Sequence, residues 1–158
     1  MKNFVFRKAT PYDAALILKF IKGIAEYEKM LDEVVNTEEL IKEVVFGNGH
    51  AEVIFVLEDD KEVGFALFFH NYSTFVGRSG IHLEDLFVWP EYRGKGYGKA
   101  LFCEVARIAK ERGCGRMEWT CLNWNTPSIN FYLSMGAIPM DEWTTYRLTA
   151  DKIDALVK

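Results

Sequence analysis

The sequence predicts an α+β fold in which a single mixed β-sheet is flanked by helices. Two observations support this class: short apolar runs alternate with stretches of helical periodicity, and glycine or proline marks most of the boundaries between them. No repeat, low-complexity segment or linker rich in proline or serine divides the 158 residues. We therefore expect one domain covering residues 1–158, with its elements in the order β-α-α-β-β-β-α-β-α-β.

Capping residues mark where the predicted helices begin. Thr10 and Pro11, with Asp13 three residues after the cap, supply an N-cap hydroxyl, a first-turn proline and an acid. Thr126 and Pro127 repeat this start later in the chain. The predicted helices run from Thr10 to about Glu28, from Asn36 to Val45, from Ala100 to Lys110 and from Ser128 to Met135.

Apolar runs between these helices predict the strands. Residues 58–61, Glu-Asp-Asp-Lys, separate two such runs and indicate a hairpin. Pro90 cannot donate to a ladder, so the strand before it is expected to end there. Residues 71–80 are expected to form a loop. The predicted strands are residues 4–7, 53–57, 63–69, 81–88, 117–122 and 144–148.

Composition and charge argue against several classes of function. The formal net charge of −4 argues against nucleic acid as a partner, because such proteins need a basic face. No apolar run reaches transmembrane length, so we expect no membrane contact. The three cysteines form no Cys-x-x-Cys pair and indicate reduced thiols, which suits the cytoplasm. The three histidines lack the spacing of metal ligands, so we expect no metal.

The most informative motif is the run 93–98, Arg-Gly-Lys-Gly-Tyr-Gly, between a predicted strand and a predicted helix. Backbone N–H groups at a helix start, together with the positive end of the helix dipole, favour a phosphate-bearing ligand. A P-loop is excluded because Ala100 stands where its hydroxyl residue belongs, and the glycine spacing excludes a dinucleotide fingerprint. The pattern that fits is Arg-x-x-Gly-x-Gly, formed by Arg93, Gly96 and Gly98.

Several separated blocks of sequence share one resemblance. They are residues 4–10, Phe-Val-Phe-Arg-Lys-Ala-Thr; residues 21–22, Ile-Lys, and 25–28, Ala-Glu-Tyr-Glu; residues 83–88, Leu-Glu-Asp-Leu-Phe-Val; residues 92–98; and residues 124–132, Trp-Asn-Thr-Pro-Ser-Ile-Asn-Phe-Tyr. In this order, along nearly the whole chain, they resemble the GNAT acetyltransferase superfamily. Within it they are most similar to the spermidine/spermine branch with its diamine and thialysine relatives. The resemblance implies the GNAT fold, acetyl-CoA as co-substrate, and a homodimer with residues of both subunits near the substrate sites.

The resemblance also implies which residues hold acetyl-CoA. In the family the glycine-rich loop binds the pyrophosphate, and backbone N–H groups of the preceding strand serve the thioester carbonyl and the pantetheine arm. The implied cofactor-binding residues are Leu86, Phe87, Val88, Arg93, Gly94, Lys95, Gly96, Tyr97, Gly98, Lys99, Asn125, Ser128 and Tyr132. Asn125 has an alternative interpretation as a turn or helix cap.

Acetyl transfer from a thioester needs a deprotonated amine, donors for a developing oxyanion and an acid for the departing thiolate. Tyr132 lies where the family places its general acid, although its spacing alone also suits a core aromatic beside Phe131. Glu84 is the candidate base, acting through water, and its apolar neighbours are expected to raise its pKa. Asp85 is expected on the opposite face of the strand. Either acid can instead bind a cationic substrate, or be a hydrogen-bonded acid at a strand edge.

The resemblance implies a substrate site lined by Tyr27, Glu28, Phe75, Glu84 and Asp85. One stretch departs from the polyamine branch: where that branch has an acid followed by proline and tryptophan, this chain has Ser73-Thr74-Phe75. A long polycation calls for several spaced carboxylates. A diamine, a lysine-like amine or another small primary amine therefore becomes the expected substrate.

The sequence thus predicts an N-acetyltransferase whose small cationic amine attacks acetyl-CoA directly in a ternary complex. Two alternatives stay open. One is acetylation of protein N-termini or lysines, which needs an open groove for a peptide. The other is a non-catalytic module that binds acetyl-CoA, against which the presence of both Glu84 and Tyr132 argues.

Overall fold

The computed structural model describes residues 3–157, which fall into two compact units, one up to Thr120 and the other from Cys121 onward. The strands of the first unit are β1 (Val5–Lys8), β2 (Glu52–Glu58), β3 (Lys61–Ser73), β4 (Arg78–Val88) and β5 (Met117–Glu118). They form one five-stranded sheet in the order β1-β2-β3-β4-β5. The first four strands are antiparallel to their neighbours and β5 runs parallel to β4, so the predicted mixed sheet is confirmed.

Helices of the first unit are α1 (Ala14–Tyr27), α2 (Glu38–Leu40), which continues as the π-helical turn Ile41–Gly47, and α3 (Tyr97–Glu111). The second unit holds α4 (Thr126–Ser134) and α5 (Ala150–Leu156). Within residues 3–157, none of the helices combines the length and the hydrophobicity that crossing a bilayer requires.

The predicted capping residues fix the 3-10 turn Pro11–Asp13, which leads directly into α1. The backbone N–H of Thr10 donates to Oδ2 of Asp13 over 2.8 Å, and the N–H of Asp13 donates to the carbonyl of Thr10 over 2.9 Å. Asp13 also accepts two hydrogen bonds of 2.9 Å from Arg7. The Arg7 guanidinium holds the pKa of Asp13 below its usual range. These contacts tie β1 to the beginning of α1.

One face of the sheet packs against α1 around Phe20. Its ring centroid lies 5.0 Å from that of Phe65 and 5.8 Å from that of Phe55. Trp89, just after β4, stacks on Phe20 at 5.0 Å. Gly23 gives Trp89 its space, because a Cβ at Gly23 would lie 2.8 Å from Cζ3 of that ring. Each buried aromatic side chain contributes about 2–3 kcal/mol, so this cluster joins α1 firmly to the end of β4.

The opposite face of the sheet packs against α3. Leu101 and Val105 of α3 are fully buried. Gly64 of β3 lets the helix come close, since a Cβ there would lie 3.1 Å from Cδ1 of Leu101 and 3.0 Å from the carbonyl oxygen of Phe87. This packing holds α3 against β3 and β4, the strand that leads into its glycine-rich start.

The predicted loop at residues 71–80 is wrong, because most of it is strand. β3 continues to Ser73 and β4 begins at Arg78, with Asn71 opposite Gly80. β2 reaches only as far as Phe68, so the outer part of this hairpin extends past its neighbour. Its polar residues are typical of a loop, and the pattern gives no sign of the pairing that makes them a strand.

Two later strand predictions also need correction. β5 comprises only Met117–Glu118 rather than residues 117–122. Residues 144–148, all within the described chain, form no strand. Alternating apolar residues become a strand only where a partner completes the ladder, which a single segment cannot reveal. The short helix α5, which was not predicted, follows Thr149 as its N-cap.

Candidate active site

A β-bulge in β4 sets the positions of the two candidate acids. Leu83 of β4 lies opposite Phe68 of β3, whereas Asp85 lies opposite Leu67. Glu84, between them, is left without a partner residue and is exposed. Directly opposed residues share a face of the sheet, and successive residues of β3 alternate between faces. Asp85 therefore lies with Leu67 on the face that α1 covers, and Leu83 lies on the other.

Glu28, Glu84 and Asp85 form a group of like charges that we call the acidic trio. Glu28 directly follows α1 and is half-buried. Burial, and then the charges of Glu84 and Glu28, raise the pKa of Asp85 to about 7. Burial and the charge of Glu84 also raise the pKa of Glu28. On this strand the raised pKa shown by the structure is that of Asp85.

The acidic trio has two chemical consequences. A cation bound beside it relieves the repulsion between the carboxylates and favours their charged forms. A carboxylate whose pKa is about 7, as at Asp85, can also take up and release a proton near neutral pH. The arrangement therefore suits the binding and the deprotonation of an ammonium group.

The glycine-rich run forms the start of α3. Gly94 and Gly96 have φ angles of 79° and 91°, in the region that favours glycine, and Gly96 is the N-cap. A Cβ at Gly94 would meet no atom within 4 Å. In the part of the chain that the structure describes, no acceptor pairs with the backbone N–H groups of Gly94, Lys95, Gly96, Gly98 and Lys99. These unpaired donors at a helix start fit a phosphate group.

Arg93 is held between aromatic rings at the beginning of this loop. Its guanidinium carbon lies 5.1 Å from the ring centroid of Tyr27 and 5.2 Å from that of Phe87. Its Nε donates to the carbonyl oxygen of Val88 over 2.9 Å. Arg93 thereby connects the loop to the end of α1 and to the end of β4. This geometry favours a role for Arg93 in positioning the loop, in addition to any contact that it makes with a phosphate.

Two further side chains of the loop contact Glu58, at the end of β2. The buried Tyr97 donates from its hydroxyl to Oε1 of Glu58 over 2.6 Å, and Nζ of Lys95 lies 3.4 Å from the same oxygen. Burial, followed by the bond to Glu58, raises the pKa of Tyr97 to about 12. Sequence reasoning missed Glu58, because an acid beside a hairpin turn carries no signal of a partner 39 residues away.

The backbone of residues 86–88 lies at a partly open edge of the sheet. On one side these residues pair with β3. On the other side β5 pairs with β4 only at Ile81 and His82. No strand of the described chain continues that pairing, so alternate backbone N–H groups face an open edge. Such N–H groups can hold a carbonyl oxygen on which negative charge develops.

The turn between β3 and β4 contains Phe75, a residue that is 97% exposed. Ser73, at the end of β3, is buried. Its Oγ accepts a hydrogen bond of 3.1 Å from the backbone N–H of Val76. Ser73 therefore stabilises the turn and adds no negative charge beside Phe75.

The second unit carries Tyr132 on α4. The side chain of Asn125 caps this helix, since its Oδ1 accepts from the backbone N–H of Ser128 over 3.3 Å. The predicted cap at Thr126 is therefore wrong; asparagine and threonine are both good caps, and the sequence offers them side by side. Tyr132 is half-buried, and its ring lies edge-on to Phe131 at 5.5 Å. The acidic trio and the glycine-rich loop belong to the first unit.

Comparison with known proteins gives consistent matches over most of the chain. A model of the acetyltransferase (GNAT) family matches residues 21–137. A thialysine N-epsilon-acetyltransferase from Sus scrofa is 34% identical over 168 residues, which cover 99% of this chain and 98% of the relative. An L-ornithine N5-acetyltransferase from Arabidopsis thaliana is 32% identical over 198 residues, which cover 96% of this chain and 87% of the relative.

Solved structures show the same fold. An integron cassette protein from the mobile metagenome of V. cholerae has a TM-score of 0.81 and 27% identity, over 100% of this chain and 99% of its own. An aminoglycoside acetyltransferase from an uncultured soil metagenomic sample has a TM-score of 0.77 and 16% identity, over 92% of this chain and 95% of its own. At that identity the second match speaks for the fold alone.

Proposed function

Because the chain belongs to the acetyltransferase (GNAT) family, we propose that it transfers the acetyl group of acetyl-CoA to a primary amine of a small cationic substrate. The main support for this class of substrate is the acidic trio of Glu28, Glu84 and Asp85, in which Glu28 and Asp85 have raised pKa values. A bound ammonium group offsets the repulsion that raises them. The relatives named for thialysine and L-ornithine point to the same class of amine.

Within that class a diamine or a lysine-like amine suits the site better than a long polyamine. The three carboxylates lie close enough for their charges to interact, so they suit a compact cation. The position that holds an acid in the polyamine branch is here the buried Ser73. The distant charges of a long polycation would find no carboxylate at that position.

The glycine-rich loop is the proposed seat of the pyrophosphate of acetyl-CoA. Its unpaired backbone N–H groups and the positive end of the α3 dipole fit an anion. Lys95 and Lys99 add positive charge, and Arg93 keeps the loop against Tyr27 and Phe87. The open edge of β4 at residues 86–88 is the proposed donor to the thioester carbonyl and the pantetheine arm.

For the chemical step we propose direct attack of the amine in a ternary complex. The new bond joins the amine nitrogen to the acetyl carbon, and the bond from that carbon to sulfur breaks. The Glu84–Asp85 pair takes the proton of the ammonium group, with Glu84 acting through water. Tyr132 gives its phenolic proton to the departing thiolate. A tyrosine phenol, whose reference pKa is about 10, is a weak acid but a sufficient proton donor to a thiolate.

Release of CoA in the presence of acetyl-CoA and a panel of acceptors tests this proposal. The panel contains thialysine, lysine, ornithine, putrescine, cadaverine, spermidine, spermine and a peptide with a free N-terminus. Turnover concentrated on the diamines and the lysine-like amino acids is the expected result. Turnover on the peptide alone would favour a protein acetyltransferase. Tight binding of acetyl-CoA with no turnover on any acceptor would favour a non-catalytic module.

A further inference from the structure

We infer that Glu58 is a positioning residue for the acetyl-CoA loop, holding the segment 95–97 in its binding geometry through Tyr97 and Lys95. This rests on the proposed function of that loop. Glu58 is the last residue of β2, directly before the hairpin turn to β3. It reaches the start of α3 from an element 39 residues away in sequence. Neither the glycine motif nor the acidic trio includes it.

Tyr97 makes the first of the two contacts through which Glu58 holds the loop. The hydroxyl of Tyr97 donates to Oε1 of Glu58 over 2.6 Å, and only 3% of Tyr97 is exposed. The ring also packs edge-on against Phe4 at 5.5 Å. A phenol buried to this degree needs an acceptor, because an unmet hydroxyl in the interior is strongly destabilising. Glu58 supplies it and fixes the first residue of α3.

Lys95, on the other side of Gly96, makes the second contact with Glu58. Nζ of Lys95 lies 3.4 Å from the same oxygen of Glu58 and 5.4 Å from the ring centroid of Tyr92. Gly96 has a φ angle of 91°, and glycine resists no rotation by itself. One carboxylate therefore anchors the side chains on both sides of a flexible residue. The loop N–H groups are ordered before a ligand arrives, which lowers the entropy lost on binding.

The charge of Glu58 gives a way to separate positioning from electrostatics. A carboxylate near a phosphate site repels the ligand, so loss of charge alone favours CoA. Loss of the acceptor for Tyr97 disfavours CoA. Glu58→Gln removes the charge and keeps a side-chain oxygen for the Tyr97 hydroxyl, whereas Glu58→Ala removes both.

The test measures CoA affinity by calorimetry, together with the KM for acetyl-CoA, the KM for the amine and kcat. Glu58→Ala and Tyr97→Phe should each weaken CoA about tenfold, as expected for a lost hydrogen bond to a charged group. The double variant should be no weaker than either single variant, and Glu58→Gln should stay within about twofold of the wild type. The KM for the amine and kcat at saturating acetyl-CoA should change by less than about twofold.

Glu62→Ala is the matched control, because Glu62 is a neighbouring carboxylate on β3 that pairs with Arg7 at 2.7 Å instead. It should leave CoA affinity unchanged. Wild-type affinity in Glu58→Ala, strictly additive losses, or equal changes in all kinetic constants would overturn the inference. A wild-type protein that fails to bind CoA would instead remove the proposed function on which the inference rests.

Discussion

Asp85 lies directly opposite Leu67, on the face of the sheet that α1 covers, even though Leu83, two residues earlier, faces the other side. The bulge at Glu84 is the cause, since it inserts one residue without a partner into β4. It brings a carboxylate into the half-buried region where Glu28 follows α1. The acidic trio therefore depends on backbone geometry as much as on residue type.

The first prediction concerns the pH dependence of activity. Because the pKa of Asp85 is about 7, its carboxylate is lost as the pH falls below 7. The slope of log kcat/KM for the amine against pH, measured below pH 7, should therefore be larger by one in the wild type than in Asp85→Asn. Comparing slopes cancels the titration of the substrate amine, which both proteins share. Glu91→Gln, an exposed acid beyond β4, should keep the wild-type slope. Equal slopes in all three proteins would contradict this role for Asp85.

Asp85 should also lower the free energy of unfolding at neutral and higher pH. Since the pKa of Asp85 is raised in the folded protein above the ~3.9 of an exposed aspartate, the folded state binds the proton more tightly. The free energy of unfolding therefore falls as the pH rises from about 4 to about 7, and the loss persists above 7. Asp85→Asn should stabilise the protein at pH 8 by about 2 kcal/mol, and by less at pH 5. Urea unfolding at the two pH values measures the difference; a destabilised Asp85→Asn at pH 8 would refute it.

Lysine should not be able to replace Arg93 without weakening the binding of acetyl-CoA. Arg93→Lys keeps the charge but loses the hydrogen bond from Nε to Val88 and the contacts of the guanidinium with the rings of Tyr27 and Phe87. Acetyl-CoA should bind roughly tenfold more weakly to this variant. Arg107→Lys, on the exposed side of α3, should bind like the wild type. Undiminished affinity in Arg93→Lys would show that charge alone is what the loop requires.

At Gly23, a substitution that normally stabilises a helix should destabilise the protein. Glycine to alanine inside a helix usually stabilises by about 1 kcal/mol. At Gly23 the new Cβ would lie 2.8 Å from Trp89 and 3.0 Å from Cε1 of Phe87, so Gly23→Ala should instead destabilise by about 1–3 kcal/mol. The urea midpoint measures this, with the exposed Lys22→Ala as control. A higher midpoint for Gly23→Ala would mean that Trp89 moves aside freely.

Tyr132 should contribute to the chemical step and little to binding. Tyr132→Phe removes only the hydroxyl, so kcat at saturating amine should fall by about 10²–10³ while the KM for acetyl-CoA changes little. Tyr12→Phe is a suitable control, because Tyr12 is a tyrosine with 98% of its side chain exposed. Full turnover by Tyr132→Phe would show that another group, or water, protonates the thiolate.

Much of the sheet and the glycine-rich start of α3 could be predicted from the sequence, because both depend on local patterns. A short continuous apolar run identifies strands such as residues 53–57, and the glycines at 94 and 96 mark a turn whatever its surroundings. The same local logic fails at residues 144–148, where a favourable pattern finds no partner strand in the described chain. It also fails at residues 71–80, where pairing overrides a loop-like composition.

The electrostatics of the candidate site could not be predicted in the same way. Glu84 and Asp85 are adjacent acids, and only the register with β3 shows that a bulge lies at Glu84 and that Asp85 turns toward the α1 face. The contact between Glu58 and Tyr97 likewise joins two segments far apart in sequence. Such long-range contacts follow from tertiary packing, which rules based on the spacing of residues in the sequence do not describe.

We propose that this acetyltransferase recognises its substrate through the positive charge that lies beside the acidic trio. The most direct measurement compares kcat/KM for cadaverine with that for pentylamine, which has the same length and one charge fewer. Three carboxylates can neutralise more than one charge, so we predict a preference for cadaverine of at least about 30-fold, reduced in Asp85→Asn. Equal rates for the two amines, or a preference that Asp85→Asn leaves intact, would contradict it.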